Sequence, residues 1–158
     1  MTFSTLLVQD EPQGVRHLTL NRPAVRNAMS LAMVGELRHA LAQAESDNVR
    51  ILVLRGAGGH FCAGADLKDL AGARMQLADK PNAVAEVNAA FGNLCVAFAR
   101  TGIATVAVLE GTVMGGGLGL ACVADVAIAG ASASFRLPET SLGVVPAQKA
   151  GAFWDSAR

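Results

Sequence analysis

The sequence predicts an α/β domain, and two features of its apolar pattern carry the prediction. Apolar runs of strand length recur along the chain, at residues 51–54 (Ile-Leu-Val-Leu), Ala104–Leu109 and Val126–Ala129. Unbroken runs of this kind suit strands covered on both faces. Between them lie longer stretches whose apolar residues step by three and four, the spacing of one helix face. One runs through Met33, Val34, Leu37, Ala40, Leu41 and Ala44, the other through Val84, Val87, Phe91, Leu94 and Phe98. Strand, helix and strand in this order imply a right-handed crossover and a partly parallel sheet.

Taken in order, residues 6–9 and Val15–Leu20 read as two short strands joined across Asp10-Glu11-Pro12-Gln13-Gly14, where proline and glycine mark a turn. Asn21-Arg22-Pro23 ends the second strand, because a residue before proline leaves helical space. Ser30 fits an N-cap for the first helix. Residues 56–64 form a loop, with Phe61 as its anchor in the core. Residues 71–82 carry mixed charges, Gly72 and Pro81, and predict a mobile flap over a site. The second helix runs through about Arg100. The strand Ala104–Leu109 meets a turn at Glu110-Gly111, then three consecutive glycines, Gly115, Gly116 and Gly117, and an apolar stretch ending at Asp125. There is no internal repeat and no low-complexity segment.

The 158 residues predict one domain with a substantial core, since 52% are hydrophobic and 16% charged. Thirteen basic and thirteen acidic residues cancel, and no basic run interleaves with aromatics, which argues against nucleic acid as a partner. The longest run of apolar residues and glycine, residues 112–124, is too short to span a bilayer, and the first residues show no signal-peptide pattern. Neither a membrane nor a secretory route is expected. Cys62, Cys95 and Cys122 have neither zinc spacing nor a disulfide framework, which predicts no metal and a reducing, cytoplasmic location.

Consecutive glycines between a strand and a helix let a ligand lie against bare backbone. They also leave the first helical N–H groups free to donate to an oxygen that carries or develops negative charge. Tight helix packing accounts for the same residues, and the motif alone does not separate the two readings. Three further segments bear on the choice: Asn21-Arg22-Pro23-Ala24-Val25-Arg26-Asn27-Ala28-Met29, Gly59-His60-Phe61-Cys62-Ala63-Gly64-Ala65-Asp66-Leu67, and Phe135-Arg136-Leu137-Pro138-Glu139-Thr140-Ser141-Leu142-Gly143-Val144-Val145-Pro146. With the glycine stretch, in this order, they resemble the enoyl-CoA hydratase/isomerase (crotonase) superfamily. The resemblance covers the chain to about Pro146.

The resemblance implies the spiral ββα crotonase fold, over one domain of residues 1–158, without the C-terminal trimerisation helices. It implies an acyl-CoA thioester as substrate, coenzyme A being part of that substrate, with no separate cofactor. The thioester oxygen would be held by two backbone N–H groups, assigned by motif position to Ala63 and Gly116. Glu139 would be the acid/base. Arg26 and Ala28 would lie near the pantetheine and phosphates, Ala65, Asp66 and Leu67 along the acyl pocket, and Gly115 and Pro138 also against substrate. A solvated Arg26 and an Asp66 that caps the following helix fit the residues equally. His17, His39 and His60 read as surface or packing residues, and Cys62 as no nucleophile.

One departure from the family pattern bears on mechanism. Hydratases of the family carry a second glutamate two positions after the third glycine, where this chain has Gly119. A single carboxylate fits double-bond isomerases of the family. Hydratases of branched glutaconyl-type thioesters also depart from the two-glutamate pattern, and the run from Pro138 to Gln148 is most similar to isohexenylglutaconyl-CoA hydratases of terpene breakdown. Residues 149–158 lose the apolar helical pattern, with Phe153 and Trp154 side by side in a polar tail. This predicts a truncated or frame-shifted product. Three readings therefore stand: a hydratase-type lyase, a single-glutamate isomerase, and a non-catalytic acyl-CoA-binding chain. For the first two the family pattern implies a homo-oligomer, a trimer or hexamer.

Overall fold

The computed structural model describes residues 3–138. Glu139, the stretch 142–146 and the tail 149–158 lie outside the described residues.

The amphipathic helices fold onto one face of a five-stranded sheet. Strands β1 (Leu6–Glu11), β2 (Val15–Leu20), β3 (Ile51–Gly56), β4 (Ala104–Leu109) and β6 (Val126–Ala129) stand in the order β1-β2-β3-β4-β6. The β1–β2 hairpin is antiparallel and every later pairing is parallel, as the crossover helices require. A second sheet pairs β5 (Thr112–Met114) with β7 (Ser134–Arg136). Helix α1 (Leu31–Ser46) is capped by Ser30, whose hydroxyl accepts from the Met33 N–H at 3.2 Å. All six residues predicted for its inner face are buried.

In helix α3 (Ala83–Arg100), Phe91, Leu94 and Phe98 are buried, together with Ala83 and Cys95. Leu18, Leu20, Met33, Leu37, Leu52, Phe61 and Leu94 are fully enclosed. Each such side chain contributes about 1.5–3 kcal/mol by leaving water. Among the described residues no helix is long and apolar enough to cross a membrane.

Three expectations change. Strands β3 and β4 alternate between buried and less buried positions rather than being covered on both faces. Leu52, Leu54, Ala107 and Leu109 face the helices, while Ile51 stays 38% exposed. Helices α1 and α3 lie on one side, and the edge strand β6 is exposed throughout. The predicted flap is partly helical, since α2 (Leu67–Met75) takes in residues 71–75 and turns follow it. Strands β5 and β7, of three residues each, carry too little periodicity to be read in advance.

Candidate active site

The loop of residues 61–66 is held between two partners. On one side it pairs with β5: the Cys62 N–H donates to the Thr112 carbonyl and the Met114 N–H to the Cys62 carbonyl, both at 2.9 Å. On the other side it pairs with residues 26–29. The Ala63 N–H donates to the Arg26 carbonyl at 2.9 Å, the Met29 N–H to the Gly64 carbonyl at 2.7 Å, and the Asp66 N–H to the Met29 carbonyl at 3.0 Å.

Gly64 has φ +96°, a conformation open to glycine at little cost. A Cβ there would lie 3.2 Å from the Met114 carbonyl oxygen and 3.6 Å from the Gly116 nitrogen. The loop and the start of helix α4 (Gly116–Cys122) therefore meet backbone to backbone.

This pairing decides which amides are left over. Ala63 is spent on Arg26, Gly64 donates to the Cys62 sulfur at 3.4 Å, and Asp66 is spent on Met29. No acceptor among the described residues takes the Ala65 N–H, and none takes that of Gly116. Both residues line one cleft, partly open to solvent. Its walls are mostly apolar, built from Met29, Leu31, Val34, Leu70, Val87 and Phe91. Two N–H groups in an apolar cleft suit an oxygen that develops negative charge.

The approach to the cleft is braced by charge. Arg22 Nη1 lies 2.8 Å from the Asp66 carboxylate and also donates to the Ala28 carbonyl. Asp66 caps α2 as well, accepting from the Lys68 N–H at 2.8 Å. Burial pushes the Asp66 pKa up, but the Arg22 guanidinium and the Lys68 N–H outweigh it and hold the group below the ordinary carboxylate value. Asn27, fully buried, accepts from the Arg22 N–H at 2.8 Å and donates to the carbonyls of Ala57 and His60 at 2.9 and 2.7 Å. Burial raises the Cys62 thiol to about 11, so it stays protonated and is no nucleophile at neutral pH.

The sequence profile of the enoyl-CoA hydratase/isomerase family matches residues 10–156. The chain belongs to that family. Its relatives include the mouse enoyl-CoA hydratase domain-containing protein 2, mitochondrial, 40% identical over 85% of this chain and 44% of the relative. The 2,3-dehydroadipyl-CoA hydratase of Escherichia coli is 34% identical over 89% of this chain and 52% of its own length. Among solved structures, Pseudomonas aeruginosa AtuE is 57% identical with a TM-score of 0.88, covering 95% of this chain and 57% of that one. An enoyl-CoA hydratase/isomerase from Marinobacter aquaeolei is 48% identical with a TM-score of 0.86, covering 96% and 58%. The chain thus spans about half the length of the relatives it matches, and these neighbours share its α/β crotonase fold.

Within this enoyl-CoA hydratase/isomerase fold the predicted site residues separate. Ala65, Asp66 and Gly116 come together in the cleft. The Ala63 N–H, predicted to hold the thioester oxygen, is instead taken by the Arg26 carbonyl, whereas the Ala65 N–H has no acceptor among the described residues. Leu67 is 77% exposed and stands outside the cleft lining, since its helix begins there and turns it to solvent. Gly115 lies behind the site rather than on its wall: its N–H donates to the Arg136 carbonyl at 3.1 Å and its φ of +49° turns the chain into α4.

Arg26 is exposed at the mouth of its loop, and Ala28 and Pro138 are half-buried. Gly119 is buried within α4. The histidines are structural or superficial: His60 Nδ1 accepts from the Thr112 N–H at 3.1 Å, His17 lies 3.1 Å from Glu11, and His39 meets the Phe3 ring edge-on. Among the described residues no group of three or more His, Cys, Asp or Glu side chains is placed to hold a metal ion. Sequence reasoning missed Arg22, which sits inside the Asn21-Arg22-Pro23 signal but has no spacing that names its partner.

Proposed function

We propose that this chain forms the acyl-CoA thioester site of a hydratase-type lyase, adding water to a 2-enoyl-CoA or removing it. The observation that carries the reading is the pair of N–H groups, Ala65 and Gly116, left without acceptors among the described residues on one apolar cleft. Attack of water at C3 of the enoyl thioester moves electrons onto the thioester oxygen. One preorganised donor at such an oxygen is worth about 3–4 kcal/mol in the transition state. Glu139 takes the proton from the attacking water and returns it to C2, so that hydroxyl and hydrogen add across the double bond. Arg26, exposed beside the loop, binds the CoA phosphates. The run after Pro138 supports a branched glutaconyl-type acyl group, the family pattern supports a trimer or hexamer, and the three cysteines without a disulfide framework support a cytoplasmic location.

A second reading has its own support in Gly119, which places no second carboxylate on α4. Glu139 alone then moves a proton from C2 of a 3-enoyl-CoA to C4, passing through a dienolate whose oxygen uses the same two N–H groups. Parallel incubations with 2-enoyl-CoA and 3-enoyl-CoA separate the two. Hydration of the first supports the lyase, and conversion of the second without water uptake supports the isomerase. Tight binding of both with turnover of neither supports a non-catalytic acyl-CoA-binding chain. Absence of acyl-CoA binding overturns all three.

A further inference from the structure

We propose that Arg22 is a positioning residue that holds the Ala65 N–H in place opposite Gly116 by bracing both flanks of its loop. The inference rests on the oxyanion reading above. Ala65 lies in no regular strand or helix. Among the described residues it is joined to Met29 by an isolated bridge. The partner segment is itself irregular, with Arg26 and Asn27 both at positive φ, +49° and +56°. Non-glycine residues keep that conformation only when their surroundings hold it. The main-chain bonds between residues 26–29 and 63–66 fix the spacing of the two segments, but the Ala65 N–H takes part in none of them.

Arg22 adds a side-chain clamp across the two segments. One of its nitrogens meets both the Ala28 carbonyl, just before Met29, and the Asp66 carboxylate, just after Ala65. A single cation thus clamps the bridge from both segments at the residues next to the pair. Side-chain exposure is 25% for Arg22 and 9% for Asp66, so water and salt screen the contact weakly. Asp66 is also tied to the first turn of α2. Loss of either charge leaves the backbone bonds and the fold, but lets the Ala65 peptide tilt. An oxyanion donor is effective only when aimed within hydrogen-bond distance of the oxygen, so a small tilt is enough to weaken it.

The test uses a chromophoric thioester, 4-dimethylaminocinnamoyl-CoA, whose absorption moves to the red as its carbonyl is polarised. Affinity and carbonyl polarisation are thereby read separately, together with thermal unfolding. Wild type is expected to bind the probe with a red shift. Arg22→Gln and Asp66→Asn are expected to lose about half the shift or more, while affinity stays within about five-fold because the CoA contacts elsewhere bind uniformly. Arg22→Lys is expected to recover part of the shift.

Asp66→Asn is isosteric and keeps an oxygen to cap α2, so it carries the test by itself if Arg22→Gln does not fold. A full red shift in Asp66→Asn overturns the brace while leaving the oxyanion reading intact. An equal loss of shift in Asp10→Asn, which breaks the remote Asp10–Arg16 pair between β1 and β2, assigns the effect to general loosening and also overturns it. Binding to wild type without a red shift overturns the oxyanion reading, and the brace with it.

Discussion

The Phe91 ring stands end-on against Gly116. A Cβ on that glycine would lie 3.2 Å from the ring's Cζ and 3.3 Å from Cε2. One residue on, a Cβ at Gly117 would meet Cys62 at 2.6 Å from its Cβ and 2.7 Å from its carbonyl oxygen. The first neighbour is the tip of a side chain, the second a Cβ and a backbone carbonyl that cannot swing aside. Gly116→Ala is therefore expected to fold with a midpoint near wild type while weakening acyl-CoA binding, because the ring must swing into the cleft. Gly117→Ala is expected to lose about 1–3 kcal/mol of stability or more, the usual cost of overpacking. Thermal melts beside acyl-CoA titrations check both, and the reverse ordering of the two melts would contradict the geometry.

Asn27→Ala removes three hydrogen bonds from a fully buried position. It strands the Arg22 N–H and two carbonyls, each such loss costing about 1–3 kcal/mol where water cannot enter. It also places alanine at a φ of +56°, which asparagine tolerates better. A total loss of about 3 kcal/mol is expected in urea denaturation. A variant within 0.5 kcal/mol or so of wild type would show that water replaces the side chain.

Glu36 ties down the N-terminal segment, accepting from the N–H and hydroxyl groups of Ser4 and Thr5 at 2.6–2.9 Å. Burial pushes its pKa up, but these four bonds outweigh burial and lower it from 4.5 to about 2. The folded value lies below the unfolded one, so the stabilisation is full above pH 4.5 and is lost as pH falls from there through about 2. Glu36→Gln is expected to flatten this part of the acid limb. Denaturation midpoints of the two proteins at neutral pH and near pH 3 check it, and parallel acid limbs would reject the assignment.

Glu139→Gln is expected to lower turnover by about 10²–10⁴ with acyl-CoA affinity nearly unchanged, since the amide keeps the size but moves no proton. Because Gly119 supplies no second carboxylate, the loss belongs near the upper end. Gly119→Glu is expected to raise hydration of a simple 2-enoyl-CoA relative to isomerisation. Steady-state kinetics on both substrates check the pair. Retained turnover in Glu139→Gln would place the base elsewhere.

What the sequence by itself determined is local in origin. The periodicity of residues 33–44, the Ser30 cap and the run Ala104–Leu109 are set by neighbours within a few positions, and each reads directly as helix, cap or strand. The four motifs carried the family in the same way. The choice between Ala63 and Ala65 is different. Both are small, both flank Gly64, and nothing in the chain's pattern separates them. Tertiary structure decided it, because residues 26–29 pair with residues 63–66 across more than thirty positions and the Arg26 carbonyl captures one amide but not the other. The Arg22–Asp66 contact was decided in the same fold, because a charge finds its partner in space and not by spacing along the chain.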